Sequence, residues 1–129
     1  MLHHAIPLLH VSAAARAEAF YCGQLGFTLS FANPVGNTGT DPCYLGIRRD
    51  GAELHLSSFP GDGTAGGVVN IVLDEVDALH RELRARRVPI DLPPVNQSWG
   101  TRELYVKDAD GNSIRFQAWP APPTHATHP

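Results

Sequence analysis

Hydrophobic and polar positions in the first sixty residues follow the periods of one strand, one helix and three further strands. A short apolar run predicts a buried strand at 5–11, and apolar residues at helical spacing predict a helix at 13–25. Ser12 is placed to cap that helix and Gly26 to end it. Alternating segments predict three strands, at 27–31, 43–48 and 53–58, with an Asp-Gly hairpin turn between the last two.

The same order of elements returns after a glycine-rich linker at 59–67, which we expect to be flexible. Asp74 is placed to cap a second helix, predicted at 74–87 and ended by Pro89. Its buried stripe consists of residues three and four positions apart: Val76, Leu79 and Leu83. The other segments predict strands at 68–73, 90–92, 103–106 and 113–119, a loop at 93–100 and a second Asp-Gly turn before the last strand.

This repetition predicts an α+β fold with two βαβββ modules, whose sheets curve around a cleft. A unit of one helix and one four-stranded sheet cannot cover both faces of that sheet, so the uncovered face must pack against something or hold a ligand. We expect one domain over 1–119, with modules at about 5–58 and 68–119. The proline-rich stretch at 120–129 predicts a flexible tail.

Composition and charge argue against nucleic-acid and membrane partners. The 129 residues carry a net charge of −3, and their sequence has no basic run able to neutralise several phosphates, so nucleic-acid binding is not expected. The arginines near residue 85 fit the solvated end of a helix. No apolar stretch approaches the length of a membrane span, and the two cysteines fit a reduced pair. We therefore expect a cytoplasmic protein without membrane partners.

Several motifs, in order along the chain, resemble those of the glyoxalase, bleomycin-resistance and extradiol-dioxygenase (vicinal oxygen chelate) superfamily. The first half carries Leu-His-Val at 9–11, Ala-Phe-Tyr at 19–21 and Leu-Gly-Phe at 25–27. The second half carries Asp-Glu-Val-Asp-Ala-Leu at 74–79 and Asp-Ala-Asp-Gly-Asn-Ser-Ile at 108–114. The resemblance covers about residues 5–119 and implies the paired βαβββ fold.

A narrower resemblance is to the bleomycin-resistance proteins. Ser-Trp-Gly-Thr-Arg-Glu-Leu at 98–104 is similar to their "PWG-RE" stretch, with Ser98 for the usual proline and one extra residue before Arg102. The resemblance implies a homodimer that sequesters its drug unaltered, in a cleft built from both subunits and lined by the matching tryptophan. Trp99 is then a ligand contact; a lid over the core or a dimer contact is the alternative.

Enzymes of this superfamily hold a divalent metal at four places. The resemblance puts those places at His10, His55, Val68 and Arg115 in this chain. Valine cannot ligate, and arginine puts a cation where a carboxylate is wanted, so we expect neither a metal nor another cofactor. Each histidine is otherwise a packed strand residue. The sequence also lacks a Gly-x-Ser-x-Gly motif and a glycine-rich loop followed by lysine.

An apolar cleft with a few polar anchors would suit a drug-sized ligand. The flat side chains suggested for it are Trp99, Phe31, Tyr44 and Phe59, and the polar ones are His10, His55, Glu103 and Arg115. The leading hypothesis is a metal-free protein that gives antibiotic resistance by sequestering a bleomycin-type or other planar or glycopeptide ligand in an aromatic cleft at a dimer interface. The expected partner is thus a bleomycin-like antibiotic or a related aromatic metabolite. The alternatives are a metal-dependent lyase, isomerase or dioxygenase using His10 and His55, and a carrier protein for a metabolite.

Overall fold

The computed structural model describes residues 1–35 and 39–120, so the predicted tail lies, apart from Pro120, outside the described residues. The chain forms two compact units. The first contains the described residues up to 67 together with the turn at 108–112, and the second contains residues 68–107 and 113–120. The second Asp-Gly turn, although late in the sequence, therefore belongs to the first unit.

The first unit contains one helix and a four-stranded sheet. Its elements are β1 (Leu8–His10), α1 (Ala14–Glu18, continued as a π-helical turn at Ala19–Gln24), β2 (Thr28–Asn33), β3 (Tyr44–Arg49) and β4 (Ala52–Ser57). The strand order is β1-β4-β3-β2; β1 runs parallel to β4, and the other pairs are antiparallel.

The second unit repeats this plan. Its elements are β5 (Val68–Val72), α2 (Val76–Ala85), β6 (Leu92–Asn96), β7 (Arg102–Lys107) and β8 (Ser113–Ala118). The strand order β5-β8-β7-β6 matches that of the first sheet, with β5 parallel to β8. The prediction of two βαβββ modules is confirmed, and so is the buried stripe of α2: Val76, Leu79 and Leu83 are 1%, 8% and 0% exposed.

Alternation along the strands divides each sheet into two faces. In the first unit Leu45, Ile47, Leu54 and Leu56 are buried in the core, as are Tyr21 and Leu25 of the helical segment. In the second unit the core positions of β7 and β8 are Leu104, Val106, Ile114 and Phe116. The intervening strand residues point to the opposite face. These opposite faces carry most of the polar and aromatic residues suggested as ligand contacts.

Both predicted helix caps are wrong. Ala13 occupies the position before α1, and the Ala14 N–H donates to Oδ1 of Asp41 at 3.0 Å, while the Ser12 hydroxyl accepts from Arg16 instead. A carboxylate supplied by a distant loop therefore satisfies one of the helix's first N–H groups. Glu75, not Asp74, precedes α2, without a side-chain bond. The expected end of the first helix is confirmed by Gly26, which has a φ of +78°.

The strand at 90–92 and the loop at 93–100 were also wrongly predicted. The structure has strand β6 at Leu92–Asn96, which includes Pro93 and Pro94. Proline lacks the N–H of a sheet ladder and is tolerated where the strand is at a sheet edge or irregular. Both conditions hold, because β6 is the last strand of its sheet and its register with β7 shifts between Leu92 and Val95.

The segment at 59–67, for which the sequence predicts a flexible linker, lies in the first unit and makes hydrogen bonds within it. The Ser57 hydroxyl donates to Oδ2 of Asp62 at 2.8 Å, and the Gly67 N–H donates to Oδ1 of Asn112 at 2.8 Å. These bonds hold the segment near its middle and at its last residue. Within the described residues, no helix is both long and apolar enough to cross a membrane.

Candidate functional site

Three aromatic rings meet on the outer face of the first sheet. Phe31 and Tyr44 stack with an interplanar angle of 13° and ring centroids 6.1 Å apart. His55 meets both rings edge-on, at 5.3 Å from Phe31 and 5.2 Å from Tyr44. We call Phe31, Tyr44 and His55 the aromatic platform. Phe31 is 43% exposed, so the platform presents an accessible flat ring.

The platform exists because β3 has a glycine at its centre. In the strand register Gly46 pairs with Phe31 on one side and with His55 on the other. A Cβ on Gly46 would overlap the Phe31 ring, at 2.6 Å from Cδ1 and 2.7 Å from Cζ. Glycine therefore makes the space into which the Phe31 ring folds across the sheet.

His55 links the platform to a charged group. The Tyr44 hydroxyl lies 2.7 Å from Nδ1 of His55, and Nε2 of His55 lies 3.5 Å from Oε2 of Glu53. Nε2 is buried and has no hydrogen-bond partner within the described residues. Arg48 binds the other carboxylate oxygen of Glu53 at 3.0 Å. Burial, followed by the charge of Asp62, raises the pKa of Tyr44, so its hydroxyl stays protonated at neutral pH.

His10 and Phe59 lie on neighbouring parts of the first unit. The register sets His10 opposite Ser57 and His55 opposite Leu8. Nδ1–H of His10 donates to the Asp62 carbonyl at 3.0 Å, which fixes the ring's tautomer because a carbonyl only accepts. Phe59 is half-buried, and its backbone N–H donates to the Ser57 hydroxyl. The His10 ring is thus bonded to the loop at 59–67, and the Phe59 backbone is bonded to the end of β4.

In the second unit, Trp99 is held by a buried carboxylate. The Trp99 indole N–H donates to Oε2 of Glu103 at 3.1 Å, and Glu103 is 5% exposed. The Thr101 hydroxyl donates to the same oxygen, and the Tyr105 hydroxyl donates to Oε1. Burial acts to raise the pKa of Glu103, but these three hydrogen bonds and the charge of Arg115 outweigh it, so the pKa of this carboxyl is lowered. Glu103 is therefore ionised at neutral pH.

Arg115 completes this group, which we call the Trp99 cluster (Trp99, Thr101, Glu103, Tyr105 and Arg115). The guanidinium carbon of Arg115 lies 4.6 Å from the centroid of the Tyr105 ring, a cation–π distance. Tyr105 and Arg115 are cross-strand partners on β7 and β8. The Glu103 hydrogen bond is the largest influence raising the pKa of Tyr105. The cluster thus couples one carboxylate to one guanidinium and keeps three donors in fixed positions.

The residues suggested from the sequence are therefore brought together in two groups, one in each unit. Phe31, Tyr44 and His55 share the platform, while Trp99, Glu103 and Arg115 share the Trp99 cluster. Four further residues of these faces were not predicted from the sequence: Gly46, Thr101, Tyr105 and Trp119. Strand alternation from Glu103 and Arg115 points to Tyr105 and Trp119, whereas Gly46 becomes identifiable only once the register of β2 against β3 is known.

The four positions that correspond to the superfamily's metal ligands do not fit a divalent ion. In the first unit, His10 and His55 supply two imidazoles, and the carboxylate beside His55, that of Glu53, is paired with Arg48. In the second unit, Val68 has no donor atom and Arg115 supplies a cation. Catalytic metal sites usually keep three protein ligands. Within residues 1–35 and 39–120, no group of three or more His, Cys, Asp or Glu side chains is placed to hold a metal.

Comparison with known sequences identifies one family. A family model with the description "Glyoxalase superfamily protein" matches residues 1–120. No curated protein sequence matches the chain. The family match covers both units, including all elements from β1 to β8.

Solved structures of the same fold include a bleomycin-binding protein, a bleomycin resistance determinant and a lyase. The bleomycin-binding protein from bleomycin-producing Streptomyces verticillus, complexed with copper(II)-bleomycin, is 26% identical with a TM-score of 0.69, over 92% of this chain and 97% of that chain. The bleomycin resistance determinant encoded on the transposon Tn5 is 20% identical with a TM-score of 0.72, over 91% of this chain and 98% of that chain. Lactoylglutathione lyase from Agrobacterium tumefaciens is 21% identical with a TM-score of 0.69, over 91% of this chain and 95% of that chain. Because one fold carries both binding and catalysis, the residues of the site must decide between them.

Proposed function

The chain belongs to the glyoxalase superfamily, and from that premise we propose that it is a metal-free binding protein for a bleomycin-type or other planar or glycopeptide antibiotic. It gives resistance by sequestering the drug without altering it. The 26% identical S. verticillus protein, which was solved with copper(II)-bleomycin, supports this choice of ligand class. The lack of fit at the metal positions supports binding over metal-dependent catalysis.

The observation that carries the proposal is the pairing of an exposed indole with a buried carboxylate. Trp99 is 58% exposed, whereas Glu103, which accepts its N–H, is 5% exposed. Two backbone hydrogen bonds close the turn that bears Trp99, from Gln97 N–H to the Thr101 carbonyl and from Gly100 N–H to the Gln97 carbonyl. A ring held in one orientation loses little conformational entropy when a flat ligand stacks on it. Stacking contributes roughly 0.5–1.5 kcal/mol beyond area burial.

The aromatic platform supports the same ligand class. Phe31 offers a ring face, while Tyr44 and His55 offer a hydroxyl and an imidazole beside it. Ligand sites for drug-sized molecules combine apolar walls with a few fixed polar groups in this way. We propose that Phe31, Tyr44 and His55 contact the ligand, and that His10 of β1 and Phe59 of the loop at 59–67 contact it as well.

Charge favours a cationic ligand without dominating the binding energy. The net charge of −3 attracts a cation at long range. Close to the site, Arg115 and Arg48 offset Glu103 and Glu53, respectively. We therefore expect the affinity to depend only modestly on salt, with flat-ring contacts supplying most of it.

We further propose that the protein is a homodimer with its ligand at the subunit interface, as in the resistance proteins that the sequence resembles. In the second unit β5 exposes Val68 at 55% and Val72 at 68%, two positions on one strand face that a second copy would cover. Size-exclusion chromatography with light scattering should give twice the mass of one chain. A monomer at micromolar concentration would exclude the interface.

Isothermal titration of bleomycin into the purified chain, freed of metal with EDTA, tests the proposed function. We expect saturable binding that survives EDTA, and about a tenfold or greater loss of affinity in Trp99→Ala, since exposed tryptophans at binding sites are frequent energetic hot spots. Trp99→Phe keeps a flat ring and should bind with intermediate affinity. Arg84→Ala, on the exposed side of α2, is the control and should bind like the wild type. A divalent metal bound stoichiometrically by the purified chain before EDTA treatment would favour a metal-dependent enzyme of the same superfamily.

A further inference from the structure

We propose that Trp119 forms a second aromatic wall of the ligand site whose first wall is Trp99, a role for Trp119 that rests on the proposed function. The two side chains are the only tryptophans in the chain. They lie twenty positions apart in the sequence, and both belong to the second unit. Both are largely exposed, Trp99 at 58% and Trp119 at 60%.

Trp119 follows the last strand directly, and the alternation of that strand sets its face. Ile114, Phe116 and Ala118 are buried on the core side of β8. Arg115 and Gln117 take the opposite side, and Trp119 continues their alternation. The register pairs Gln117 with Glu103, the residue that holds Trp99. Trp119 therefore emerges beside the Trp99 cluster and on its face of the sheet.

A contact with Gly100 fixes Trp119 next to the turn that carries Trp99. A Cβ on Gly100 would lie 3.2 Å from Cζ3 of the Trp119 ring, so the ring rests against the Gly100 backbone. Gly100 also has a φ of +107°, which disfavours any other residue. Gly100 thus affects both indoles. Its backbone turns the chain after Trp99, and its lack of a side chain leaves room for the Trp119 ring.

The two indoles are supported on one side and open on the other. Trp99 is supported through its N–H by Glu103, and Trp119 is supported by the Gly100 backbone. Large aromatic side chains left open beside a buried polar group are typical of ligand sites. The occupant that fits is an extended ligand with a flat aromatic or heteroaromatic part. We favour a small molecule because the site combines two exposed indoles with a buried carboxylate, as sites for drug-sized ligands combine apolar walls with a few fixed polar groups.

The experiment compares affinities of four proteins for bleomycin by isothermal titration: wild type, Trp119→Ala, Trp119→Phe and the exposed control Arg84→Ala. Light scattering and a thermal melt accompany each titration. We expect Trp119→Ala to bind about tenfold or more weakly, as truncated tryptophan hot spots do. Trp119→Phe, which keeps a flat ring, should recover part of the loss. The control should match the wild type, and all four should keep the same mass and melting temperature within a few degrees.

Each other outcome overturns a distinct statement. Wild-type binding with unchanged affinity in Trp119→Ala would overturn the second wall and leave the proposed function standing. A change of mass in Trp119→Ala without a change in the intrinsic affinity would assign Trp119 to a contact between copies and would also overturn the second wall. Absence of wild-type binding would overturn the proposed function, and the role of Trp119 with it.

Discussion

The hydroxyl of Tyr21 donates a 2.7 Å hydrogen bond to Oδ2 of Asp108, a residue 87 positions later in the sequence. Asp108 also accepts the backbone N–H groups of Asp110 and Asn112 through Oδ1. Asn112 in turn donates to the His10 carbonyl. One carboxylate thus builds the second Asp-Gly turn and fastens it to the first unit. The family-like Asp-Gly-Asn motif has a structural role in this chain.

Removing the Tyr21 hydroxyl should destabilise the fold. Tyr21 is fully buried, so Tyr21→Phe leaves a charged acceptor short of one partner and should cost about 1.5–3 kcal/mol of unfolding free energy. Urea denaturation measures this cost. The double-mutant cycle with Asp108→Asn is the control, and the two substitutions should be clearly non-additive. Additive losses would show that the hydrogen bond does not couple the two side chains.

The tyrosine side chains should ionise at higher pH in the folded protein than in the unfolded protein. The pKa values of Tyr21, Tyr44 and Tyr105 are all raised, the first two chiefly by burial and the third chiefly by its hydrogen bond to Glu103. Unfolded tyrosine ionises at about pH 10. A raised pKa in the folded state means that this contribution to stability is complete below pH 10 and is lost as the pH rises further.

Absorbance at 295 nm against pH measures this ionisation. The native protein should ionise at higher pH than the same protein in urea, and its unfolding free energy should fall above pH 10. Tyr21→Phe should shrink that fall, because Tyr21 is the most strongly shifted of the three. Coincident native and urea titration curves would contradict the description of these hydroxyls.

Gly46→Ala tests the origin of the aromatic platform. The added methyl group must displace the Phe31 ring, so we expect a loss of about 1–3 kcal/mol of stability, as for overpacked sites. The near-ultraviolet circular dichroism should change too, as the ring stack opens. Gly51→Ala is the matched control, since a Cβ there has nothing within 4 Å in the described structure. If both variants were equally stable, Phe31 would not depend on Gly46.

Asp77 and Arg102 should contribute stability that is lost in acid. Arg102 binds Asp77 through Nε and Nη2, both at 2.9 Å, and this bond is the main cause of the lowered pKa of Asp77. The contribution is present above about pH 4 and lost as the pH falls through the lowered pKa. Because Asp77 is 37% exposed at its side chain, we expect no more than about 1 kcal/mol.

Chemical denaturation of Asp77→Asn from pH 7 to pH 2 measures the acid effect. The variant should be less stable than the wild type at pH 7, and the two should converge in acid. Arg84→Ala, which leaves this pair intact, should follow the wild type throughout. A difference between Asp77→Asn and the wild type that stayed constant with pH would rule out ionisation as its source.

The fold could be predicted from the sequence because both halves repeat the same periods. Strand alternation, the helix stripe of Val76, Leu79 and Leu83, and the two Asp-Gly turns are local signals that the tertiary structure leaves unchanged. Strand β6 was missed because Pro93 and Pro94 oppose a strand locally, and an edge position with a shifted register tolerates them. The cap of the first helix was missed because its partner, Asp41, is supplied from a distant loop, whereas α2 has no side-chain cap bond at all.

The sequence suggests individual residues for a candidate site, but it does not show which of them lie together. The resemblance singles out Trp99, and chemical type singles out Glu103 and Arg115. Their association through Tyr105 depends on the pairing of β7 with β8, which local patterns do not specify. The role of Gly46 could not be predicted for the same reason. It depends on the Phe31 ring, which occupies the space that a side chain at position 46 would need.

Retention and recovery of the drug tests the central proposal, sequestration without chemical change, most directly. The purified chain is mixed with bleomycin in EDTA, filtered through a membrane that retains protein, and then denatured to release the drug for mass spectrometry. We predict retention that saturates at a fixed ratio of drug to protein subunit, with the drug's mass unchanged on release. Passage of all the drug through the membrane, or release of a chemically altered drug, would contradict the account.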